Sequence, residues 1–236
     1  MQALGATRRV ALARGTGRPI LVLPGIYASL GESLFAEIAE GVRDATRRPV
    51  LLLEDRFAPQ TLAASGGAMI DVERLGLEAA AVAAALAPHP DVLALSLGAN
   101  VAFAARDVWH RVVAWSAAPD LEAVARRLER SFVARFYYAH AHRRAYRLAG
   151  LVPPPISVFY EHLVSRGGRS EPSVPTLLVH AADDPIAPLS PVASLARQPD
   201  VRVCVLPVGG HLGFGAIAGA SVYWLPFEPR RFPPLS

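Results

Sequence analysis

Short runs of apolar residues recur along the chain, and longer segments whose apolar residues have helical spacing lie between them. Each run has the length of a strand that is buried on both faces of a sheet. Strands that alternate with helices are typical of a parallel sheet with helices on both faces. The pattern therefore predicts an α/β fold with strands at Ile20–Leu23, Val50–Leu53, Val92–Leu95, Val112–Trp115, Thr176–Val179 and Val201–Leu206.

Helical periodicity predicts three helices in the segments between these strands. They span Leu30–Ala45, Ile70–Ala87 and Leu97–Ala105. Asp71 is placed to favour the start of the second helix, and Pro88 ends it because proline has no N–H to donate. Before the first run, the stretch Val10–Ala13 predicts an additional antiparallel strand.

One long segment, residues 119–175, interrupts the alternation of strands and helices. It has no buried-strand pattern, but an arginine-rich helical stretch followed by three consecutive prolines. We interpret it as a cap inserted between two core segments, 1–118 and 176–236. An insertion at this point lies over the carboxyl ends of the strands. We therefore expect it to cover Ser96, which directly follows the predicted strand Val92–Leu95. Its nine arginines are at positions 126, 127, 130, 135, 143, 144, 147, 166 and 169.

Aromatic residues and arginines in this cap segment each have two interpretations. The aromatic residues near helical spacing most simply form the face that packs on the core, and some of them would alternatively line a binding pocket. The excess of arginine is most simply a solvated face, and the alternative is a surface that steers an anionic ligand. The aromatic residues are Phe132, Phe136, Tyr137, Tyr138 and Tyr146.

The composition suits one globular domain with a full core, since 52% of the 236 residues are hydrophobic. All 24 basic residues are arginines, so the chain has no lysine. A Schiff-base lysine and a Walker A phosphate loop both need the flexible ammonium group of lysine. Pyridoxal enzymes and P-loop NTPases are therefore excluded. The single cysteine, Cys204, lies in a predicted strand, where we expect it to be a small apolar side chain.

The mean hydropathy of +0.29 is high, so a membrane-spanning segment has to be tested by length. The best apolar run, Val92–Ala105, has 14 residues, whereas a membrane span needs about 20. Arg8 and Arg9 resemble a twin-arginine signal, but arginines and glycines soon interrupt any apolar region after them. We expect a cytoplasmic protein without a transmembrane segment. The arginine content looks like codon bias, and we expect no nucleic-acid partner.

The strongest chemical signal is the strand-to-helix turn Ala94-Leu95-Ser96-Leu97-Gly98. It matches the nucleophile elbow G-x-S-x-G, with alanine in place of the first glycine. The turn forces its serine into a strained backbone conformation, so the residues two before and two after it must be small. Ser96 is therefore the candidate nucleophile, and the alternative is a serine in an ordinary strand-to-helix turn.

A nucleophilic serine needs a base, and the base needs an orienting acid. Asp183 and Asp184 follow a predicted strand, at the end where ligand sites of parallel sheets gather, although adjacent aspartates before proline also occur in solvated turns. His211 follows the last predicted strand after two glycines. Of the seven histidines, His211 alone combines a strand end, a glycine-rich approach and a position after the acid. We predict His211 as the base. A structural role is favoured for the other six histidines, which are His89, His110, His140, His142, His162 and His180.

Acyl transfer also creates an oxyanion, which two backbone N–H groups usually stabilise. One candidate is the N–H of Leu97, directly after the nucleophile. The other is the N–H of Ile26, which Pro24 and Gly25 precede in the turn after the first central strand. This turn lacks the G-x-G-x-x-G spacing, so dinucleotide binding is not expected.

Four segments together resemble α/β-hydrolases of the YheT-like family. They are ILVLPGIYAS, ALSLGAN, LLVHAADDPIAP, and GGHLGF with SVYWLPFEPRRF further on. A fifth, AWSAAPDLEAVARRLE, is similar to the entry into the cap of that family. The resemblance extends over most of residues 20–232. It implies an α/β-hydrolase fold, with a mostly parallel central sheet and a small helical cap.

The resemblance also implies a catalytic triad of Ser96, Asp184 and His211, with the N–H groups of Ile26 and Leu97 as the oxyanion hole. Asp184 matches the acid of the family because it directly precedes the proline of the D-P-x-x-P stretch. The chain departs from the family in three ways. Alanine replaces the first elbow glycine, proline replaces histidine in the oxyanion turn, and the chain is short, with part of the usual cap missing.

These residues predict a serine hydrolase that cleaves a carboxylic ester or thioester through an acyl-enzyme on Ser96. An acyltransferase with the same triad is one alternative, and a non-catalytic α/β-hydrolase fold that binds a ligand or partner is another. The expected ligand is a small-molecule ester or thioester, which is anionic or carrier-bound if the arginine surface takes part. No metal or other cofactor is expected.

Overall fold

The computed structural model describes residues 10–28, 33–69, 71–86, 88–164 and 171–212. Within them, seven strands form one sheet: β1 (Val10–Ala13), β2 (Ile20–Leu23), β3 (Val50–Leu53), β4 (Asp91–Leu95), β5 (Arg111–Trp115), β6 (Thr176–Ala181) and β7 (Val201–Leu206). Their order is β1-β3-β2-β4-β5-β6-β7. β1 is antiparallel to β3, and all other neighbours are parallel. Both the parallel sheet and its antiparallel first strand were predicted from the apolar runs.

The described helices are α1 (Ser33–Thr46), α2 (Pro59–Ala64), α3 (Val72–Leu86), α4 (Leu97–Ala104), α5 (Leu121–Arg130), α6 (Phe132–Leu148), α7 (Ile156–Val164) and α8 (Leu189–Leu195). A short 3₁₀ helix, Arg106–Val108, follows α4. α1, α3 and α4 confirm the three predicted helices, although residues 30–32, 70 and 87 of the predicted spans lie outside the described residues. Periodicity does not predict α2 or α8, because each has only about two turns.

The parallel strands β2 to β6 are buried on both faces because their side chains alternate between two apolar layers, whereas the edge strand β7 is partly exposed. On one face, Leu21 and Val92 pack in a cluster that includes residues of α3 and α4. On the other face, Ile20 and Leu93 pack with Phe35 and other residues of α1. The helices therefore cover both faces of the sheet, which confirms the predicted architecture.

Side-chain caps set the start of several helices. Asp71 accepts a hydrogen bond from the N–H of Arg74 at 2.9 Å, directly before α3, as its predicted place at a helix start requires. Asp120 and Ser131 make the equivalent contacts at the starts of α5 and α6, at 2.9 Å and 3.2 Å. Because of this cap, a single residue, Ser131, separates the end of α5 from the start of α6.

Three helices, α5 to α7, lie between β5 and β6, where the sequence predicts the cap. Tyr138 and Tyr146 are buried there, but Phe132 and Phe136 are 71% and 65% exposed. The prediction that these aromatic residues form one face on the core is therefore wrong for Phe132 and Phe136. Phe132 and Phe136 each lie two positions along α6 from a buried residue. Two positions correspond to about 200° around the helix, so both side chains lie on its opposite side. The side chain of Tyr137 lies outside the described residues.

Candidate active site

Ser96 lies in the turn between β4 and α4, with φ of +53° and ψ of −120°. Non-glycine residues rarely adopt such a conformation, and it stores backbone strain. A Cβ atom at Gly98 would lie 2.2 Å from the carbonyl oxygen of Leu23, so the close approach of α4 to β2 requires glycine there. The N–H of Ser96 donates to the carbonyl of Trp115 at 2.9 Å, which anchors the strained turn to β5.

His211 contacts both other predicted triad residues. Its Nε2 lies 2.8 Å from Ser96 Oγ, and its Nδ1 lies 2.9 Å from Asp184 Oδ2. An ionised carboxylate can only accept, so Nδ1 carries the proton and Nε2 accepts the Ser96 hydroxyl. The structure thus brings the three side chains into one continuous chain of hydrogen bonds.

Asp184 is held rigidly after the end of β6. Its Oδ1 accepts hydrogen bonds from the N–H groups of Ile186 at 2.8 Å and Ala187 at 2.9 Å, which leaves Oδ2 for His211. Burial alone would raise the pKa of this carboxyl, but the hydrogen bond and charge of His211, together with the two N–H groups, outweigh it and lower the pKa. Asp184 therefore stays ionised at neutral pH.

Asp183 is placed differently from its neighbour. Its side chain is exposed, and its Oδ1 accepts a hydrogen bond from the N–H of Gly210 at 2.8 Å. Gly210 has a φ of +56°, in the left-handed region that favours glycine. Of the two aspartates, Asp184 contacts the imidazole of His211, and Asp183 contacts the turn that carries it.

The turn that contains Ile26 runs beside the Ser96 side chain. A Cβ atom at Gly25 would lie 3.3 Å from Ser96 Cβ, so glycine allows this close approach. Leu97 is the first residue of α4. Within the described ranges, neither the N–H of Ile26 nor that of Leu97 has a backbone acceptor. Both predicted oxyanion donors thus lie in segments that border Ser96.

Asp55 supports this turn, and sequence reasoning missed it. Its Oδ2 accepts the N–H of Tyr27 at 2.6 Å and that of Phe57 at 3.1 Å. Tyr27 has a φ of +65°, which is unusual for an aromatic residue. The available signal was a carboxylate just after the apolar run Val50–Leu53, at the sheet edge where Ser96 lies.

His142 of α6 was also missed, because the sequence favoured a structural role for it. The hydroxyl of Tyr27 lies 2.6 Å from His142 Nδ1, and His142 Nε2 lies 2.8 Å from the carbonyl oxygen of Pro154. Burial lowers the pKa of His142; the contact with Pro154 opposes this shift and the charge of Arg143 adds to it. No local pattern signals the pair, since its two members are 115 residues apart.

His180, at the end of β6, lies behind the acid. Its Nε2 donates to the carbonyl of Ala187 at 3.0 Å and lies 3.8 Å from Asp184 Oδ2. Burial lowers the pKa of His180, although the nearby charge of Asp184 acts in the opposite direction. Because Ala187 also donates to Asp184, His180 stabilises the loop after β6 that carries Asp184, in keeping with the structural role that its sequence position favoured.

No group of three or more histidine, cysteine, aspartate or glutamate side chains is arranged to hold a metal ion in the part of the chain that the structure describes. None of the described helices is both long and apolar enough to cross a membrane. Cys204 is half-buried in β7, and burial raises the pKa of its thiol.

Solved structures share this fold at low sequence identity. Mouse alpha/beta hydrolase domain-containing protein 10 is 15% identical, with a TM-score of 0.65 over 90% of this chain and 89% of that chain. The putative non-heme bromoperoxidase BpoC from Mycobacterium tuberculosis is 17% identical, with a TM-score of 0.67 over 96% and 97%. A thermophilic esterase from Thermogutta terrifontis is 20% identical, with a TM-score of 0.57 over 93% and 94%.

These similarities establish the α/β-hydrolase fold that the sequence predicts. Identity at this level shows the fold alone, because one fold hosts many unrelated reactions. No protein-family model and no curated protein sequence matches the chain. The function therefore has to be argued from the site.

Proposed function

We propose that this protein is a serine hydrolase that cleaves a carboxylic ester or thioester through an acyl-enzyme on Ser96. The observation that carries the proposal is the hydrogen-bonded chain from Asp184 through His211 to Ser96, whose nucleophile lies in a strained turn. Structures of the same fold include a thermophilic esterase and a putative aryl esterase, which supports the reaction class.

Acylation begins with the proton of the Ser96 hydroxyl. His211 Nε2 accepts this proton as Ser96 Oγ forms a bond to the carbonyl carbon of the substrate. The tetrahedral intermediate then collapses and breaks the bond to the alcohol or thiol, which leaves with the proton from His211. An ester now joins the acyl group to Ser96.

Deacylation repeats these steps with water as the nucleophile. His211 accepts a proton from water while the water oxygen forms a bond to the acyl carbon. Collapse of the second intermediate releases the carboxylic acid, and His211 returns the proton to Ser96 Oγ. Asp184 holds the Nδ1–H tautomer throughout and stabilises the imidazolium, which requires the ionised carboxylate that its lowered pKa provides.

Oxyanion stabilisation is assigned to the N–H groups of Ile26 and Leu97. Preorganised backbone donors of this kind are worth about 10²- to 10³-fold in rate each, because they need no reorganisation as charge develops. Gly25 brings the first donor close to Ser96, and the start of α4 presents the second beside it.

We assign residues 119–175 as the cap, and residues 1–118 and 176–236 as the hydrolase core. Hydrogen bonds help to join the described cap helices to the edge of the sheet where Ser96 lies. His142 contacts Tyr27 of the oxyanion turn. Arg127 Nε donates to the carbonyl of Pro185, which directly follows Asp184, at 3.0 Å. A short member of the YheT-like family with a reduced cap fits this arrangement and the motifs of the chain.

The substrate we propose is a small-molecule ester or thioester that is anionic or carried on an acidic partner. Helix α6 supports this, since it contains Arg135, Arg143, Arg144 and Arg147 and no carboxylate. All four arginines are exposed. Exposed charge of one sign raises the association rate of oppositely charged ligands, and we assign this role to Arg143, Arg144 and Arg147, since Arg135 shares a pocket with carboxylates of α5 and α7.

A fluorophosphonate probe tests the proposed function directly. It should label the wild-type protein at Ser96, and Ser96→Ala should remove the label and reduce hydrolysis of a short-chain nitrophenyl ester by about 10³-fold or more. Ser116→Ala is the matched control, because Ser116 also has a positive φ, of 50°, and directly follows a strand, which is the neighbouring strand β5.

The outcomes of this labelling separate the candidate functions. Equal labelling of wild type and Ser96→Ala would refute the assignment of the nucleophile. Wild-type protein that neither labels nor turns over an ester would indicate the non-catalytic binding fold. Added alcohols and amines that divert the acyl group faster than water would indicate the acyltransferase.

A further inference from the structure

We propose that His142 of α6 is a positioning residue for the oxyanion turn, and that its hydrogen bond with the Tyr27 hydroxyl fixes the Ile26 N–H for catalysis. The inference rests on the proposed function, since the turn binds an oxyanion only in an acyl-transferring enzyme. It extends that function by giving the cap a part in the chemistry.

The turn between Gly25 and Ala28 is held from two sides. Asp55 binds its backbone through the N–H of Tyr27 at 2.6 Å, and His142 binds its side chain through the Tyr27 hydroxyl at 2.6 Å. Tyr27 directly follows Ile26, and peptide units are planar, so fixing Tyr27 limits the rotations that move the Ile26 N–H. Asp55 belongs to the core, whereas His142 belongs to the cap.

Both ring nitrogens of His142 have partners in a buried setting. His142 is 1% exposed, and Tyr27 is 7% exposed. The carbonyl of Pro154 can only accept, so His142 Nε2 carries the proton, and Nδ1 accepts from Tyr27. Burial of a polar group is unfavourable unless its hydrogen bonds are made. Two side chains that only filled space would therefore not need to be polar. The satisfied pair instead fixes one orientation of the Tyr27 side chain.

Aromatic rings pack around Tyr27 and His142 and hold the pair in place. Phe159 of α7 packs against both members, with ring centroids 6.0 Å from Tyr27 and 5.3 Å from His142. The ring centroid of Tyr138 in α6 lies 5.9 Å from that of Tyr27. The position of the oxyanion turn is thus coupled to the packing of α6 and α7.

Tyr27→Phe removes the hydroxyl and keeps the ring. We expect it to lower kcat by about 10-fold with KM within about 2-fold for a small neutral ester. Loss of a whole oxyanion donor lowers kcat by about 10²- to 10³-fold, and a displaced donor should have a smaller effect of the same kind. Its matched control is Tyr146→Phe, which removes a hydroxyl from a ring that also packs on His142, but this hydroxyl donates to the sulfur of Met69 instead. This control should keep the wild-type kcat.

Two substitutions of His142 separate its two hydrogen bonds. Asparagine places Oδ1 where histidine has Nδ1, so His142→Asn keeps an acceptor for Tyr27. Glutamine places Nε2 where histidine has Nε2, so His142→Gln keeps the donor for Pro154. The proposal expects His142→Asn to retain several-fold more kcat than His142→Gln, and the Tyr27→Phe/His142→Gln double variant to lose no more kcat than His142→Gln alone.

A transition-state readout distinguishes positioning from simple stabilisation of the fold. A trifluoromethyl ketone forms a tetrahedral adduct on a nucleophilic serine, so its Ki should rise by the same factor as kcat/KM falls across these variants. Activity should be referred to the fraction of folded protein measured by circular dichroism. A Tyr27→Phe variant with the wild-type kcat and Ki would overturn this inference and leave the hydrolase assignment intact. So would losses that merely follow the folded fraction. Wild-type protein that fails to label with fluorophosphonate would overturn both.

Discussion

Asp183 and Gly210 are joined by a hydrogen bond of 2.8 Å, which the Gly210 N–H donates to the Asp183 carboxylate. This bond ties the loop after β6 to the turn that presents His211. The next carboxylate, Asp184, contacts the imidazole itself at 2.9 Å. Two adjacent residues of the same type thus have separable tasks, one on the backbone of the turn and the other on the imidazole.

Asparagine substitutions should separate these two tasks. Asp184→Asn presents an amide to His211 and removes the charge that favours the imidazolium, so kcat/KM should fall by about 10³-fold or more. Asp183→Asn keeps an oxygen that accepts from Gly210, so kcat/KM should fall by less than about 10-fold. Ester hydrolysis by both variants measures the ranking. The reverse order would show that the acid lies one residue earlier than we propose.

The turn around Ser96 should tolerate change at one small residue and not at the other. Gly98→Ala places a Cβ atom 2.2 Å from the Leu23 carbonyl oxygen, so β2 and α4 would have to move apart. We expect a loss of about 3 kcal/mol in the free energy of unfolding, at the upper end for overpacked sites. Ala94→Gly, which restores the usual glycine, should lose about 1 kcal/mol and remain reactive towards the probe. Urea unfolding of the three proteins tests this, and equal stability of Gly98→Ala and wild type would contradict the close approach.

Much of the fold and the grouping of the candidate site residues could be predicted from the sequence because their signals are local. A strand buried on both faces gives a continuous apolar run, and Ser96 and Asp184 each follow such a run, whereas His211 follows the mainly apolar run of the edge strand β7. The carboxyl ends of parallel strands share one edge of the sheet, so the chain order of these residues was enough to bring them together.

Other features depend on partners that are distant in the sequence. The phenol of Tyr27 and the imidazole of His142 look like ordinary members of aromatic segments until the fold brings them within 2.6 Å. The exposure of Phe132 and Phe136 follows from the side of α6 that meets the core, which spacing alone does not give. Tertiary packing, rather than local preference, decides both.

Acid should weaken the fold partly through Asp91, at the start of β4. Its carboxylate accepts from Arg48 at 2.7 Å, His110 at 2.8 Å and Arg111 at 3.0 Å. Burial alone would raise the pKa of Asp91, but the hydrogen bonds from Arg48 and His110 and the charge of Arg111 outweigh it and lower the pKa. A lowered pKa in the folded state stabilises the fold above the unfolded-state pKa of about 3.9, and this contribution is lost as the pH falls through the folded-state pKa.

Asp91→Asn should therefore lower the free energy of unfolding by about 1 to 3 kcal/mol at pH 7, less than for a fully buried ion pair because Arg48 and Arg111 are partly exposed. The difference from wild type should shrink as the pH falls below the unfolded-state pKa of about 3.9 and through the lowered folded-state pKa, because the wild-type carboxylate also becomes protonated there. Asp44→Asn is the matched control, because Asp44 pairs with Arg43 at a side chain that is 62% exposed. A difference that stays constant between pH 7 and pH 3 in urea unfolding would refute the role of the Asp91 charge.

The arginines of α6 should make catalysis depend on salt for anionic substrates. Arg143 and Arg144 are adjacent and exposed on a helix that has no carboxylate to offset them. Salt screens an attraction of this kind over a Debye length of about 10 Å at 0.1 M, so kcat/KM for an anionic ester should fall with ionic strength. A neutral ester of similar acyl length should respond little. Replacing both arginines by alanine should lower kcat/KM for the anionic ester at low salt by about 5-fold and flatten its salt dependence.

The double substitution of Arg197 and Arg202, which are exposed on another part of the surface, removes the same charge and should have a smaller effect. If salt and the Arg143/Arg144 substitution affect both esters alike, these arginines are a solvated face and do not guide the substrate.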